Sequence, residues 1–388
     1  MNGFDFDALR RWPDVEADNL FAVDATDRLL LDEAAPALVA AAPGEVAVMG
    51  DRYGALTLGA AALFGATGLR VHQDPLSGEL ALAANARPAG LAGSYRSLGL
   101  DRELVAGARV VLLQLPRSLA ALEEIAALIA RYADPEVVVF AGGRVKHMTT
   151  AMSDVLRSHF GRVSASLARQ KSRVLRAEAP IPDEASTDAW PRREFHADLG
   201  LWVCAHGAAF AGTSVDIGTR FLLEFLPRMK ADAASAIDLG CGTGLLAAAL
   251  AVSRPSLAVL ATDQSAAAVA SARATMAANG ITGRVEVVRD DALGSRPDSS
   301  AGLIVLNPPF HIGASVHAGI ALKLFEDVAR VLEPGGELWA VWNSHLGYRP
   351  ALSRLVGPTE QVGRNAKFTV TVSTRRVPPL ASEQFLRE

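Results

Sequence analysis

The sequence feature that most constrains the fold is a glycine-rich run between a predicted strand and a predicted helix, IDLGCGTGLL at residues 237–246. Glycine lets a backbone turn tightly and approach a ligand without an intervening side chain. In open α/β sheets, such turns lie at the carboxyl ends of parallel strands, where ligands bind. The spacing G-x-G-x-G after a strand-end acid differs from the G-x-G-x-x-G fingerprint of dinucleotide-binding folds. We therefore expect a nucleoside cofactor against Gly240, Gly242 and Gly244.

Acidic residues at three successive strand ends extend this predicted site. Asp238 precedes the turn and can face either a ligand's ammonium group or the turn's own amides. Asp263 ends the next predicted strand and can accept hydrogen bonds from both ribose hydroxyls. Asp291 follows the third strand and can accept from an adenine amino group. A single strand-end Asp is more often a helix N-cap, but three of them after a glycine turn favour ligand binding. We interpret Cys241, inside the turn, as buried filler rather than a nucleophile.

A second motif, LNPPFH at residues 306–311, follows a later predicted strand. An amine conjugated with a ring has a delocalised lone pair, so two acceptors must hold its hydrogens while the nitrogen pyramidalises. The side-chain oxygen of Asn307 and the carbonyl of Pro308 can be those acceptors, on a backbone that the prolines fix. Phe310 can stack on a base. The alternative is a proline turn that ends a strand, with Phe310 in the core.

Composition and charge exclude several classes of protein. The chain has 388 residues, of which half are hydrophobic, so two domains can each bury a core. The net charge of −4 excludes a global basic field, so any nucleic-acid surface must be local. The two cysteines, Cys204 and Cys241, have no metal-ligand spacing and indicate neither a disulfide nor a zinc framework. The N-terminus is charged and the most apolar stretch, residues 55–69, is too short for a bilayer. We expect a soluble cytoplasmic protein that binds no metal.

Strand and helix patterns alternate in both halves of the chain, which is typical of parallel sheets with helices on both faces. In the C-terminal half, predicted strands cover residues 235–239, 257–262, 284–288, 302–306 and 337–343, with helices at residues 244–252, 265–279 and 320–332. The N-terminal half repeats this order, with strands at residues 45–49, 70–74, 110–116 and 137–140 and a helix at residues 81–85. A polar segment with three prolines, residues 176–193, is the best candidate for a linker.

The two halves look like copies of one unit, of which the first has lost its chemistry. The first copy has Asp51, Arg52 and Tyr53 in its turn, side chains that would crowd a cofactor. It also has Gln114-Leu115-Pro116 where the second has Asn307-Pro308-Pro309. The alternative is that any two open α/β domains look alike at this level of detail.

Taken together, these motifs resemble those of class I S-adenosylmethionine-dependent methyltransferases. The sequence 303–311, LIVLNPPFH, is similar to the bacterial ribosomal RNA guanine-N2 methyltransferases, which carry a duplicated domain with a degenerate first copy that helps recognise RNA. The segment 210–223, with Gly218 and Thr219, resembles the family's pre-motif segment over the cofactor. The sequence departs from the family pattern at Ala301-Gly302, where an acid is usual, and at Gly212.

The resemblance implies an α/β fold of two tandem Rossmann-like methyltransferase domains, the first degenerate. Residues 1–182 would be the RNA-recognition domain and residues 183–388 the catalytic domain that binds S-adenosylmethionine. The N-terminal half, at residues 114–117 and 169–176, looks more like the large-subunit (23S) enzyme than the small-subunit (16S) one. The implied reaction is methylation of guanine N2 in ribosomal RNA, with no membrane partner and a monomer favoured. Rival interpretations are a protein glutamine methyltransferase, a DNA adenine methyltransferase and a non-catalytic RNA-binding assembly factor.

A cluster of basic residues in the N-terminal half is the candidate RNA contact. Spacing along a predicted strand would place them on one face, where they could bind phosphates. A solvated charged face is the usual explanation of such a cluster. The residues are Arg169, Lys171, Arg173 and Arg176.

Overall fold

A computed structural model describes residues 4–183, 189–308 and 314–377. These residues form two seven-stranded sheets and one two-stranded ribbon. The strands of the first sheet are β1 (Val46–Met49), β2 (Leu69–His72), β3 (Tyr95–Ser97), β4 (Val110–Gln114), β5 (Val138–Arg144), β6 (Phe160–Ala165) and β7 (Ser172–Pro180). Its helices are α1 (Ala25–Ala40), α2 (Ala55–Phe64), α3 (Leu76–Ala86), α4 (Arg102–Val105), α5 (Leu119–Tyr132) and α6 (Thr150–His159).

The ribbon consists of β8 (Arg192–His196) and β9 (Leu201–Ala205). The strands of the second sheet are β10 (Ser235–Leu239), β11 (Ala258–Asp263), β12 (Val285–Arg289), β13 (Ala301–Leu306), β14 (Leu332–Asn343), β15 (Thr359–Arg364) and β16 (Phe368–Thr374). The remaining helices are α7 (Ile217–Leu223), α8 (Leu245–Ser253), α9 (Ala266–Ala278), α10 (Ala314–Val331) and α11 (Arg349–Leu355). Among the helices described, none combines the length and the apolar character needed to cross a membrane.

The two large sheets have the same strand order. It is β3-β2-β1-β4-β5-β7-β6 in the first and β12-β11-β10-β13-β14-β16-β15 in the second. In each sheet the first five strands pair in parallel and the last two pair antiparallel. Identical order and identical strand directions confirm the predicted fold of two tandem Rossmann-like domains.

Each sheet separates two hydrophobic cores, because successive residues of a strand point to opposite faces. In β13, Leu303 and Val305 face a core that α8 and α9 complete, whereas Ile304 and Leu306 face the core of α10 and α11. Helices therefore cover both faces, which is why these strands are continuous apolar runs rather than alternating ones. This burial leaves only the strand ends free to carry polar, functional side chains.

Two compact units divide the chain. The first consists of Met1–Arg192, Ala205–Gly212 and Ser265–Ala267, and the second of Arg193–Cys204, Thr213–Gln264 and Ala268–Glu388. Each unit contains one of the large sheets with its helices.

The predicted linker at residues 176–193 overlaps a strand at each end, β7 at its start and β8 at its end, so the prediction is wrong there. β7 continues to Pro180 and lies between β5 and β6, so its backbone is hydrogen-bonded on both sides. Apolar residues Val174, Leu175 and Ala177 are buried and hold it in place. The predicted helix at residues 81–85 is also too short, since α3 begins at Leu76.

Candidate active site

The glycine turn lies at the carboxyl end of β10, in the middle of the second sheet. The amides of Gly240 and Cys241 both donate to the carbonyl of Thr262, 2.8 and 3.0 Å away, so the turn is fixed to the end of β11. Gly240, Gly242 and Gly244 have φ values of 69°, 55° and 76°, a left-handed conformation that favours glycine. The backbone conformation alone therefore favours glycine at all three positions, before any contact with a ligand is considered.

The three glycines differ in what surrounds them. Among the described residues, no atom would lie within 4 Å of a Cβ at Gly240 or Gly242, so these residues leave the space above both glycines open to a ligand. A Cβ at Gly244 would lie 2.8 Å from the Met276 side chain and 2.9 Å from that of Ala272. Gly244 therefore lets α8 pack closely on α9. The sequence pattern alone did not distinguish this packing function from ligand approach.

Asp263 stands beside the turn, at the end of β11, as its place in the sequence predicts. Its carboxylate accepts a hydrogen bond of 3.0 Å from the amide of Gly242. The same residue thus braces the glycine turn at the edge where a ribose would lie. Asp291 lies beyond β12, where its carboxylate pairs with the Lys323 ammonium group. Asp290, not Asp291, is the buried acid here, and it accepts from the amide and hydroxyl of Ser295.

Asp238 is buried beneath the turn. One carboxylate oxygen accepts from the Ala247 amide in the first turns of α8, at 2.9 Å, rather than from the amides of the glycine turn. The other oxygen is buried and has no hydrogen-bond partner among the described residues. Burial, opposed by the Ala247 bond and reinforced by the nearby charge of Asp263, raises the pKa of Asp238 to about 7. An incoming cation would stabilise the charged form of this carboxylate.

Cys241 is also enclosed, and burial raises the pKa of its thiol well above the ordinary value. A thiol of this kind is protonated at neutral pH and therefore a poor nucleophile. Its environment agrees with the interpretation of Cys241 as filler.

Asn307 follows β13 and lies among residues of α7. Its Nδ2 group donates to the Asp216 carboxylate and to the Thr219 hydroxyl, both 2.9 Å away. Its Oδ1 atom is buried and accepts no hydrogen bond from the described residues. Pro308 is buried beside it. Phe310, the third predicted catalytic residue, lies outside the described residues.

The pre-motif segment contributes to this site through the start of α7. Asp216 is the N-cap of the helix, and its carboxylate accepts from the Thr219 amide at 3.0 Å. Gly218 is enclosed, and a Cβ there would come within 3.1 Å of the Phe368 ring. Sequence reasoning assigned Gly218 and Thr219 to the cofactor and missed Asp216 as a partner of Asn307. An acid at an N-cap, followed three residues later by a hydroxyl, was the only signal.

The first sheet has a turn at the equivalent place, between β1 and α2, but its surroundings differ. The Asp51 side chain points inward, where its carboxylate accepts from the amides of Leu56 and Thr57. A Cβ at Gly50 would lie 3.2 Å from Cβ of Gln114, so the space that is open above Gly240 is occupied here. The expectation that Asp51 crowds a ligand is therefore wrong in detail: Asp51 caps the helix, and Gln114 occupies the space.

The predicted common face of the four basic residues is wrong. β7 begins only at Ser172. Arg169 pairs with Ser172 across a two-residue turn whose residues, Gln170 and Lys171, are left-handed. Arg173 and Arg176 are three residues apart in the strand, so their side chains point to opposite faces. Arg169 pairs with Asp32, and Arg176 with Glu178.

Replacing Asp238 by Asn should remove a pH-dependent loss of stability. The folded-state pKa of about 7 lies above the ordinary value of 3.8, so the fold favours the protonated carboxyl. The stability that the protonated carboxyl contributes to the fold is fully present below pH 3.8 and is lost as the pH rises through about 7. Asn keeps an acceptor for Ala247 and does not titrate. The difference in melting temperature, Asp238→Asn minus wild type, should therefore increase from pH 5 to pH 8. A difference that stays constant over this range would contradict the assignment.

Comparison with known proteins adds independent findings. A family model described as "RLMG N-terminal domain" matches residues 2–180, and one described as "Methyltransferase small domain" matches residues 200–372. The fold is similar to the solved T. thermophilus 16S rRNA N2 G1207 methyltransferase (RsmC), in complex with AdoMet and guanosine. The TM-score is 0.71 at 23% identity, covering 91% of this chain and 92% of that one.

Two curated relatives match almost the whole chain, and both are named Ribosomal RNA large subunit methyltransferase G. The protein from Streptomyces coelicolor is 36% identical over 371 residues, covering 93% of this chain and 96% of the relative. The protein from Streptomyces avermitilis is 36% identical over 380 residues, covering 95% and 97%. Full-length similarity at this level, across both units, shows that the chain belongs to the ribosomal RNA large subunit methyltransferase G family.

Proposed function

We propose that this protein transfers a methyl group from S-adenosylmethionine to the exocyclic N2 of a guanine in large-subunit (23S) ribosomal RNA. The single observation that carries the proposal is the Asn307 amide, whose nitrogen is held twice while its buried oxygen is left unpaired by the described residues. A buried acceptor without a donor is costly unless a ligand supplies one. The relatives' names support the substrate class.

The residues of the second unit fit the cofactor. Gly240 and Gly242 leave open space where backbone can contact the nucleoside, and Asp263 lies beside them for the ribose. The carboxylate of Asp238 can balance the ammonium charge, and Asp291 can accept from the adenine amine, with Gly244, Gly218 and Thr219 shaping the walls. Bound there, the cofactor supplies a methyl group activated for transfer to nitrogen.

The chain's own contribution is to hold the target nitrogen. The lone pair of guanine N2 is delocalised into the ring, so the amine must pyramidalise before it can react. The Oδ1 atom of Asn307 accepts one of its hydrogens and the Pro308 carbonyl accepts the other, while Phe310 stacks on the flipped-out base. A neutral amide is not a strong base, so the proton leaves the nitrogen after the methyl group has been transferred.

We assign RNA recognition to residues 1–182 and catalysis to residues 183–388. Two features of the first glycine turn support this division. Gln114 lies against Gly50, and Asp51 is turned inward to the amides at the start of α2, so the turn leaves no room for a cofactor. Arg169, Lys171, Arg173 and Arg176 are the proposed phosphate contacts. Since two of them lie at the hairpin turn between β6 and β7 and the other two on opposite faces of β7, they would contact RNA that passes around this hairpin rather than across one face.

The first test is methyl transfer from labelled cofactor to separated ribosomal RNAs, followed by nucleoside digestion. We expect N2-methylguanosine in the large-subunit RNA. Asn307→Ala should lower kcat by about 10²–10³-fold, the range seen for lost hydrogen-bonding groups that act in the transition state, with little change in cofactor affinity. Asn365→Ala is the matched control, since among the described residues its side chain accepts only from the amides of Lys367 and Phe368.

Two outcomes would overturn this function. Label in protein glutamine or only in small-subunit RNA would show a different substrate. A wild-type turnover rate in Asn307→Ala would show that the residue only ends a strand.

The glycine turn provides a matched pair of substitutions. Gly242→Ala places a methyl group in the open space above the turn. The change in the free energy of S-adenosylmethionine binding should therefore be larger than the change in the free energy of unfolding. Gly244→Ala forces a methyl group against Ala272 and Met276, and should cost about 1–3 kcal/mol more in unfolding free energy than Gly242→Ala. Both residues have positive φ, so backbone strain is similar in the two variants. Calorimetric binding and urea unfolding measure the two effects. Equal effects of both substitutions on both measurements would contradict the assignment.

Changing Arg169, Lys171, Arg173 and Arg176 to Ala should weaken RNA binding and flatten its salt dependence while cofactor affinity stays unchanged. Each lost phosphate contact on single-stranded RNA should reduce the slope of log K against log salt by about 0.7. The control is the double variant Arg96→Ala/Arg109→Ala, which removes two exposed, ion-paired arginines of the same unit. Arg96 is in β3, at the opposite edge of the sheet from β6 and β7. An unchanged slope in the four-residue variant would exclude this cluster from the RNA interface.

A further inference from the structure

The side-chain amide of Asn307 has two ends of nearly equal shape and opposite chemistry. Turned one way it offers an oxygen acceptor, and turned the other way it offers an NH₂ donor. Packing alone cannot distinguish the two orientations, because they fill the same volume. An NH₂ group pointed at the target amine would place donor against donor, so the reaction requires one orientation only.

Asp216 decides between the two orientations. An ionised carboxylate only accepts hydrogen bonds, so the amide atom 2.9 Å from Oδ2 of Asp216 must be nitrogen. The Thr219 hydroxyl, also 2.9 Å from Nδ2, could either donate or accept and would by itself permit both orientations. Since both hydrogens of Nδ2 are used by these partners, Oδ1 is the atom left for a substrate.

The carboxylate is itself held in place. Its Oδ2 atom also accepts from the Thr219 amide at 3.0 Å, as the N-cap of α7. α7 contacts β14 and β16 in the second sheet, and Gly218 brings the helix start close to Phe368. The orientation of Asn307 is therefore determined by an element 91 residues away in sequence. This is the arrangement needed for a preorganised acceptor.

We propose that Asp216 is a positioning residue that acts through Asn307: its carboxylate, assisted by the Thr219 hydroxyl, fixes the amide so that Oδ1 faces the target amine. The inference rests on the proposed function and deepens it. The competing explanation is that Asp216 only caps α7, in which case its loss would weaken the fold without a specific effect on the chemical step.

Two substitutions separate positioning from capping. Ser is as good an N-cap as Asp, so Asp216→Ser keeps the bond to the Thr219 amide, but its side chain is too short to hold Nδ2 of Asn307. Asp216→Asn keeps size and capping while its own amide can either donate or accept. We expect kcat to fall about a hundredfold in Asp216→Ser, the scale of a small misplacement in an active site, and less in Asp216→Asn. Cofactor affinity, KM for RNA and melting temperature should stay close to wild type in both.

The decisive measurement is a double-mutant cycle. If Asp216 acts only through Asn307, then Asp216→Ser combined with Asn307→Ala should be no slower than Asn307→Ala alone. A structural function of Asp216 would instead make the two losses multiply. If Asp216→Ser does not fold, the same cycle is run with Asp216→Asn, which differs from wild type by a single atom type.

Asn307→Asp places two carboxylates side by side and should be nearly inactive. A readout without turnover is the exchange rate of the Asn307 side-chain NH₂ protons, followed by NMR, which should be faster in Asp216→Ser than in wild type.

The outcomes separate this inference from the proposed function. A wild-type protein that does not methylate guanine refutes the function itself. A wild-type kcat in Asp216→Ser or multiplying losses in the cycle refutes the positioning inference while leaving the function intact. Loss of kcat, a non-additive cycle and faster amide exchange together support it.

Discussion

The hydrogen bonds from the Asn307 amide to the start of α7 are the interaction on which the site depends. They join the end of a central strand to a helix that precedes the second sheet in sequence, and they decide which chemical group the site presents. Asp216 caps its helix and holds the nitrogen of the Asn307 amide, and the buried oxygen of that amide is left as an acceptor without a partner among the described residues. The orientation is thus set before a substrate arrives, which reduces the reorganisation needed during reaction.

The same scaffold occurs twice in the chain, and the comparison shows what the function requires. In the first copy, Gln114 is the last residue of the equivalent strand and its amide nitrogen donates to Asp27, the third residue of α1. In the second copy, Asn307 donates to Thr219, the third residue of α7. The strand-to-helix bond is therefore present in both copies. The copies differ in the room above the first glycine of the turn. Gln114 lies against Gly50, whereas no described residue lies in the equivalent position above Gly240.

Each copy contains a buried acid whose charged form is disfavoured by its surroundings. Burial raises the pKa of Asp238 and of Asp27 to about 7, so each side chain would be more stable in the fold as a neutral group. In the second copy, the ammonium group of the proposed cofactor would offset this unfavourable burial. Binding sites commonly lower the stability of the free protein, and the bound ligand restores that stability.

Local sequence determined much of this molecule. Alternating apolar runs and glycine turns predicted the order of strands and helices, because strand and helix periodicity is written within a few residues. The motif at residues 237–246 and the place of Asn307 at a strand end followed in the same way, since parallel strands bring their carboxyl ends to one edge. Tertiary structure decided the rest. β7 extends into the predicted linker because β5 and β6 pair with it, and the alternation of side chains along this strand places Arg173 and Arg176 on opposite faces. The two open glycines differ from Gly244 only through a neighbouring helix, and Asp216 meets Asn307 across 91 residues of chain. Contacts of this kind depend on which elements pack together, and no local pattern records that.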